Sequence, residues 1–129
     1  MKQNILKKWV ENLRSGKFEQ GKAALRSNDN KYCCLGVLCE TIKEEMGISW
    51  QSNANGFGYY FDDRYDILPY SVVNYCGIPG STGDLKIEYI TDEINDSGGH
   101  EAYTSLTELN DHGLSFLDIA NIIEHEYKE

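Results

Sequence analysis

The sequence has no apolar run as long as the ~18 residues that a transmembrane helix needs. Its first nine residues, Met1 to Trp9, combine three lysines with isolated apolar residues, and no continuous apolar segment of a signal peptide follows. We therefore expect a protein of the cytoplasm with no membrane partner. In that compartment the four cysteines are expected to stay as thiols.

Residues suited to catalysis are few and scattered. The three histidines are His100, His112 and His125, and none has the spacing of a nucleophile's partner. The sequence therefore predicts no catalytic residue and no cofactor, and we favour a non-enzymatic protein. An enzyme that uses His112 or Cys39 remains an open alternative.

Metal-binding patterns are also absent. The ligands of structural zinc sites come in pairs two to four residues apart, whereas Cys33 and Cys34 are adjacent and Cys39 and Cys76 lie farther along. Because a free cysteine behaves as a small apolar residue, we expect all four in the core and no metal site. The acidic clusters at residues 62–66 and 92–96 lack the register of a calcium-binding loop.

What the sequence does contain is one dominant apolar run, from Tyr32 to Cys39. Apolar residues continue at helical spacing to Met46, and Gly47 can end a helix in a left-handed conformation. This pattern predicts a buried helix over residues 32–46. Gly36 within it costs roughly 1 kcal/mol of helix stability relative to alanine, which predicts that another backbone packs closely against it.

The rest of the chain predicts one compact α+β domain over residues 1–129, with several helices packed on a small antiparallel sheet. Apolar stripes and capping residues predict further helices at residues 4–14, 69–76, 105–112 and 115–127. Strand-like composition and alternation predict a sheet built from residues 22–26, 57–62 and 85–90, with a loop over residues 91–104.

Charge is distributed unevenly along the chain. Residues 1–31 contain eight basic and three acidic residues, a net charge of +5, whereas residues 32–129 contain four basic and eighteen acidic residues, a net charge of −14. One explanation is that the two parts complement each other within the fold. The other is a partner, either an anion bound near the N-terminus or a basic protein bound to the acidic part.

The candidate ligand site is a group of polar residues that we call the basic cluster: Arg14, Lys17, Gln20, Lys22 and Arg26. Four cations and two glycines within thirteen residues suit a phosphate or another anion. The Walker A pattern is absent, however. The cluster also begins at a helix C-terminus, where the helix dipole favours cations, so a purely structural role is the alternative.

The end of the chain resembles the front of a helix-turn-helix, over residues 109–123. A DNA-binding version needs a further basic recognition helix. Here the last predicted helix carries acidic Asp118, Glu124 and Glu126 instead. We therefore expect a helix hairpin and no direct DNA binding.

Three sequence blocks resemble a family of small uncharacterised proteins encoded by bacteriophages and prophages. They are Trp9-x3-Leu13-Arg-Ser-Gly-Lys-Phe-x-Gln20-Gly, Tyr32-Cys-Cys-Leu-Gly-Val-Leu-Cys39 and Leu106-Thr-Glu-Leu-Asn-Asp-x-Gly-x-Ser-Phe116. Residues 49–66 and 80–104 look like variable insertions. The family has no established activity, so the resemblance implies a setting and no catalytic residues. By analogy, short accessory phage proteins are often binders that block host defence or host enzymes.

Two functional hypotheses follow. In the first, the basic cluster, joined by aromatic residues from 57–65, holds a phosphate-bearing small molecule such as a nucleotide signal, for counter-defence in the host cytoplasm. In the second, the acidic part inhibits a host protein by direct contact or nucleic-acid mimicry, through residues such as Asp62, Asp63, Asp92 and Glu93. The sequence leaves the oligomeric state open, a homo-oligomer included.

Overall fold

Helices account for most of the regular structure in this computed structural model, which describes residues 1–52, 56–94 and 100–129. In those ranges the helices are α1 (Gln3–Arg14), α2 (Cys34–Met46), α3 (Tyr70–Cys76), α4 (Leu106–His112) and α5 (Phe116–Tyr127). The strands are β1 (Trp50–Gln51), β2 (Tyr60–Phe61), β3 (Asp84–Ile94) and β4 (His100–Ser105). The predicted α+β class is confirmed, and each predicted helix is present with its ends shifted by at most two residues.

Two long helices, α1 and α5, pack together, and α1 also packs against α2. The apolar stripe of α1 is buried, and its Trp9 indole donates a hydrogen bond to the carbonyl oxygen of Cys34 at 2.9 Å. A buried tryptophan usually needs such a partner for its N–H group. Among these described helices, none is long and apolar enough to cross a membrane.

The central helix α2 is buried nearly all round, as the apolar run predicted. A Cβ atom placed on Gly36 would overlap the carbonyl oxygen of Leu25 and lie 2.6 Å from its carbonyl carbon. The predicted close approach of another backbone is thus confirmed. The helix begins two residues later than predicted because Tyr32 is held outside it, with its N–H donating to Glu19 and its carbonyl accepting from Gly21, both at 2.8 Å.

The strand predicted at residues 22–26 is wrong. Ala23 has a left-handed backbone (φ 65°), and its N–H donates to the Asp111 carboxylate at 3.1 Å. The N–H of Leu25 donates to Tyr65 at 2.8 Å, while Arg26 forms only an isolated bridge with Tyr32. The backbone groups of this segment therefore bind several separate partners, and none of the strands that the structure describes pairs along it.

The single predicted sheet is also wrong, because the described strands form two separate antiparallel pairs, β1 with β2 and β3 with β4. Of residues 57–62 only Tyr60 and Phe61 are strand, and the predicted strand 85–90 extends over the whole of β3. Most of the predicted loop 91–104 belongs to β3 and β4, although residues 95–99 lie outside the described part. Described residues of β4 alternate between exposed and buried, with Tyr103 and Ser105 buried, as is typical of a strand. The acidic composition of residues 91–104 obscured this alternation in the sequence.

A buried carboxylate joins the β3–β4 pair to α5. Glu126, 5% exposed, accepts hydrogen bonds from the backbone N–H groups of Lys86 and Ile87, each at 3.1 Å. These donors lie where the register of β3 shifts against β4, between Asp84 and Tyr89, so the strand ladder does not pair them. Glu126 thereby supplies acceptors that a bulged strand lacks.

Candidate anion-binding site

The structure distributes the basic cluster over different elements. Arg14, in the last turn of α1, donates to Asn121 at 2.7 Å and forms an ion pair with Glu124, both on α5. The hydrogen bond from Arg14 is the main reason why the pKa of Glu124 is lowered. Arg14 therefore already has two partners within the fold.

Gln20 is engaged by a different element, α4 and the turn that follows it. Its side-chain nitrogen donates to Asn110 at 3.0 Å and to the carbonyl oxygen of Leu114 at 2.7 Å. Asn110 is fully buried. The amide nitrogen of Gln20 thus serves to hold the N-terminal segment against α4.

The two lysines of the basic cluster, Lys17 and Lys22, are exposed. In the chain as described, no carboxylate lies within 4.0 Å of either ammonium group. The Nζ atom of Lys22 lies 3.9 Å from the place that a Cβ atom would occupy on Gly113.

Arg26 lies among aromatic rings. Its Cζ atom is 4.2 Å from the ring centre of Tyr59 and 5.7 Å from those of Tyr32 and Trp50. We call these four residues the arginine–aromatic cluster. Two guanidinium nitrogens, Nε and Nη2, donate to Asn30 at 3.0 and 2.8 Å, which fixes the orientation of the guanidinium group.

Backbone contacts hold the two halves of the arginine–aromatic cluster together. The N–H of Tyr59 donates to the carbonyl oxygen of Arg26 at 2.9 Å. A Cβ atom on Gly58 would lie 2.5 Å from that same oxygen, so only glycine permits this approach. Trp50 packs against Tyr32 with ring centres 6.1 Å apart, and the β1–β2 pairing places it opposite Phe61.

A second cation lies beside the arginine–aromatic cluster. Lys43 donates to Glu40, whose other carboxylate oxygen accepts from the Trp50 indole at 2.7 Å. A cavity of about 380 Å³ is lined by Lys43 and Trp50, among others. Burial raises the pKa of the Tyr32 hydroxyl, while the positive charges of Arg26 and Lys43 act in the opposite direction.

The charge of Arg26 is not paired with a carboxylate. In the described parts of the chain, no acidic oxygen lies within 4.0 Å of its guanidinium nitrogens. Within the same parts, only Arg14–Glu124 joins the basic segment 1–31 to the acidic remainder by an ion pair, since Lys31 pairs with acids of its own segment. Direct ion pairing therefore neutralises little of the charge asymmetry.

Sequence patterns predicted Arg26 as a ligand-binding residue, joined by aromatic residues of 57–65. Of these aromatic residues, Tyr59 contacts Arg26. The same patterns missed Tyr32, Lys43 and Trp50. Tyr32 and Lys43 were assigned to the buried helix and its polar tail, and Trp50 lies in a segment without clear periodicity. Their proximity to Arg26 follows from the irregular path of residues 22–26, which local sequence does not predict.

The residues of the enzymatic alternative lie apart from this site. Cys39 is fully buried, and burial raises the pKa of its thiol well above the usual value, which opposes thiolate formation. His112 lies 2.9 Å from the Tyr103 hydroxyl through its Nδ1 atom. Across the residues that the structure describes, no three His, Cys, Asp or Glu side chains are grouped as a metal ion would need.

The fold and the site define a small α+β domain whose candidate site is an arginine set among aromatic rings. A family model described as a domain of unknown function, DUF8296, matches residues 1–127, and the chain belongs to that family. Searches of curated proteins and of solved structures found no match.

The burial of the cysteines gives a testable pH dependence. Burial raises the pKa of Cys33 from 9.0 to about 11 and that of Cys76 to about 12. Above pH 9 the unfolded chain loses thiol protons that the folded chain keeps, so stability falls as the pH rises from 9 toward 11, by up to about 1.4 kcal/mol per thiol and pH unit.

Urea unfolding at pH 8, 9 and 10 under reducing conditions measures this effect. In parallel, a thiol reagent at pH 8 is expected to label no cysteine rapidly until urea is added. Rapid labelling of the folded protein, or an unfolding midpoint that does not change with pH, would show that the thiols are not buried as described.

Proposed function

We propose that this protein is a non-enzymatic binding protein that takes up a phosphate-bearing small molecule, such as a nucleotide, at the arginine–aromatic cluster. The observation that carries the proposal is the Arg26 guanidinium, which lies within 6 Å of three ring centres and has no carboxylate partner in the described chain. Its orientation is already fixed by Asn30, so a ligand would not have to order it.

The chemistry of the site suits the two parts of a nucleotide. Arginine presents a planar set of donors that matches phosphate oxygens. Lys43 is a second cation close to Tyr32 and Trp50, and its charge is paired with Glu40. Aromatic faces stack on nucleobases with about 1–3 kcal/mol per base. Phe57, stacked on Tyr65 with ring centres 5.6 Å apart, is 65% exposed and belongs to the same segment as Tyr59.

The remaining basic residues fit a supporting role. Lys17 and Lys22 are exposed cations that attract an anion at long range, whereas Arg14 and Gln20 are engaged by α5 and α4. The proposed site is therefore centred on Arg26. The resemblance to small phage proteins suggests a use, namely sequestering a nucleotide signal of a host defence system in the host cytoplasm.

Replacing Arg26 with glutamine is expected to weaken nucleotide binding at least about tenfold, because a charge-assisted hydrogen bond contributes roughly 1.5–3 kcal/mol. Isothermal titration with a panel of mono-, di- and cyclic nucleotides measures the affinity. Lys17→Gln is the matched control, since it removes one positive charge from the same N-terminal segment without touching the rings. Equal losses in the two variants, or no nucleotide binding by the unaltered protein, would contradict the proposal.

A second function, inhibition of a basic host protein through the acidic part, is favoured by exposed Asp62 and Asp63 next to β2. Asp92 and Glu93 belong to β3, and their side chains lie outside the described part. Native mass spectrometry of protein purified from host cells separates the two functions. A retained small molecule supports the first, whereas a stoichiometric host polypeptide, lost at high salt and on Asp62→Lys with Asp63→Lys, supports the second.

A further inference from the structure

Glu40 joins the arginine–aromatic cluster to the central helix α2. Its side chain is 21% exposed, and its two carboxylate oxygens have different partners, the Lys43 ammonium group and the indole N–H of Trp50. We propose that Glu40 is a positioning residue of this cluster, which fixes the Trp50 ring beside Arg26 before a ligand binds. The effect on ligand binding rests on the proposed function, whereas the Glu40–Trp50 contact is tested without a ligand.

The chain reversal after α2 brings Trp50 back alongside the helix. Gly47 has a left-handed backbone, with φ 68°, and the N–H of Ile48 donates to the carbonyl oxygen of Lys43 at 2.9 Å. This pairing is typical of a glycine-terminated helix end. The indole nitrogen of Trp50 then lies 2.7 Å from Glu40, at the middle of α2. Because β1 is only two residues long, this side-chain contact is a large part of what holds Trp50.

Aromatic packing by itself does not decide which edge of the Trp50 ring faces α2. The centre of this ring lies 4.9 Å from that of buried Phe61 and 6.1 Å from that of Tyr32. The χ2 torsion of tryptophan has a broad, roughly two-fold distribution, so a ring turned over could still contact both neighbours. Its N–H would then point away from Glu40 and lose a partner that a partly buried donor needs. The hydrogen bond to Glu40 therefore selects one orientation of the ring.

The ion pair with Lys43 holds the Glu40 carboxylate in place. Lys43 follows Glu40 by three residues, a spacing at which side chains of a helix meet, and its Nζ atom lies 2.5 Å from one carboxylate oxygen. The other oxygen accepts from the indole. A hydrogen bond to an ionised acceptor is stronger than one between neutral groups. The rigid helix thus sets the position of the carboxylate, and the carboxylate sets the position of the Trp50 ring.

Charge and position make opposite predictions for the removal of Glu40. Its carboxylate lies close enough to the Tyr32 hydroxyl to act on it electrostatically, as do the cations Arg26 and Lys43. If Glu40 acted only through its negative charge, removing it would strengthen the binding of an anion at this site. If Glu40 positions Trp50, removing it weakens binding, because the ring must then be ordered when the ligand binds. The sign of the effect therefore distinguishes the two roles.

Two measurements test the proposal. Heteronuclear NMR of the indole N–H groups in the unliganded protein is expected to show that Glu40→Ala shifts the Trp50 resonance and speeds its hydrogen exchange at least about tenfold, as the loss of a charge-assisted hydrogen bond should. The Trp9 resonance is an internal reference, since its N–H donates to Cys34 in the core. Titration calorimetry is expected to show nucleotide affinity reduced about threefold to tenfold, the range for a side chain ordered on binding.

Glu40→Gln is the conservative variant, because its amide oxygen can still accept from the indole while the negative charge is gone. It is expected to keep the slow exchange of the Trp50 N–H and to bind nucleotide at least as tightly as the unaltered protein. Trp50→Phe keeps an aromatic ring without the N–H, so it is expected to weaken nucleotide binding as Glu40→Ala does. This second variant tests the same contact if Glu40→Ala does not fold.

Glu45→Ala is the matched control, because Glu45 is also an acid of α2 whose carboxylate accepts from an aromatic side chain, the Tyr75 hydroxyl, at 2.7 Å. It is expected to change neither the Trp50 resonance nor nucleotide affinity. An unchanged Trp50 resonance in Glu40→Ala would overturn the proposal, and so would tighter nucleotide binding by that variant or equal effects of Glu45→Ala. If the unaltered protein binds no nucleotide, the proposed function fails, and the indole resonances still decide whether Glu40 positions Trp50.

Discussion

Replacing Gly36 with alanine is expected to destabilise the protein by about 4 kcal/mol or more, a loss reached by few single substitutions. The added Cβ would overlap the carbonyl oxygen of Leu25. That oxygen already accepts the N–H of Cys33 at 3.3 Å, while the N–H of Leu25 donates to Tyr65 at 2.8 Å. The Leu25 side chain is fully buried, so the segment cannot retreat without breaking these contacts.

The direction of this change opposes helix propensity, which makes the test sharp. Within a helix alanine is favoured over glycine by about 1 kcal/mol, so any net loss must come from the contact with Leu25. Gly16→Ala is the control, because Gly16 has φ +75° and no atom within 4 Å of a Cβ, so its cost is backbone strain alone, about 1–2 kcal/mol. Urea unfolding measures both. A Gly36→Ala protein as stable as the unaltered one would refute the described packing.

Replacing Asn110 with alanine is expected to cost about 3–5 kcal/mol, the second largest effect, since several buried polar groups would lose a partner at about 1–3 kcal/mol each. The Asn110 oxygen accepts from the Gln20 side chain at 3.0 Å and from the N–H of Cys34 at 3.1 Å. Its nitrogen donates to the carbonyl oxygen of Gly21 at 2.8 Å. One buried side chain thus joins the N-terminal segment, the start of α2 and α4.

Asn12 provides the matched control for Asn110. Its side-chain nitrogen donates to the Thr41 hydroxyl at 2.8 Å, and the site is only partly buried. Asn12→Ala is expected to cost about 1 kcal/mol, as one ordinary hydrogen bond does. Both variants are compared by their urea midpoints at an unchanged slope. Equal losses for Asn12→Ala and Asn110→Ala would show that Asn110 does not have the linking role described.

The hydrogen bonds of Asn110 also mean that a loss of stability must be distinguished from a loss of ligand binding. Gln20 was predicted as a ligand residue, yet its amide nitrogen is bonded to Asn110 and Leu114. A Gln20→Ala protein is therefore expected to lose stability whatever it binds, so nucleotide affinities must be compared at temperatures where each variant is folded. The same precaution applies to Arg26→Gln, since the Arg26 side chain hydrogen-bonds to Asn30 and also lies over three aromatic rings.

The sequence by itself determined the helices, because their signals are local. Apolar spacing gave their positions, Ser105 and Ser115 cap α4 and α5 by accepting the N–H groups three residues on, and Gly47, Gly77 and Gly113 end helices in left-handed conformations. Gly36 was readable too, since a glycine within a strongly apolar helix indicates a close neighbour. The α+β class followed from the same patterns.

Only the tertiary structure decided how the polar residues are grouped. Arg14, Gln20 and Arg26 are within thirteen residues of one another in sequence, yet they contact α5, α4 and an aromatic cluster. The segment between them forms no regular secondary structure, because its backbone hydrogen bonds go to distant partners such as Asp111 and Tyr65. Contacts of that kind depend on where the helices pack, and no local pattern encodes them.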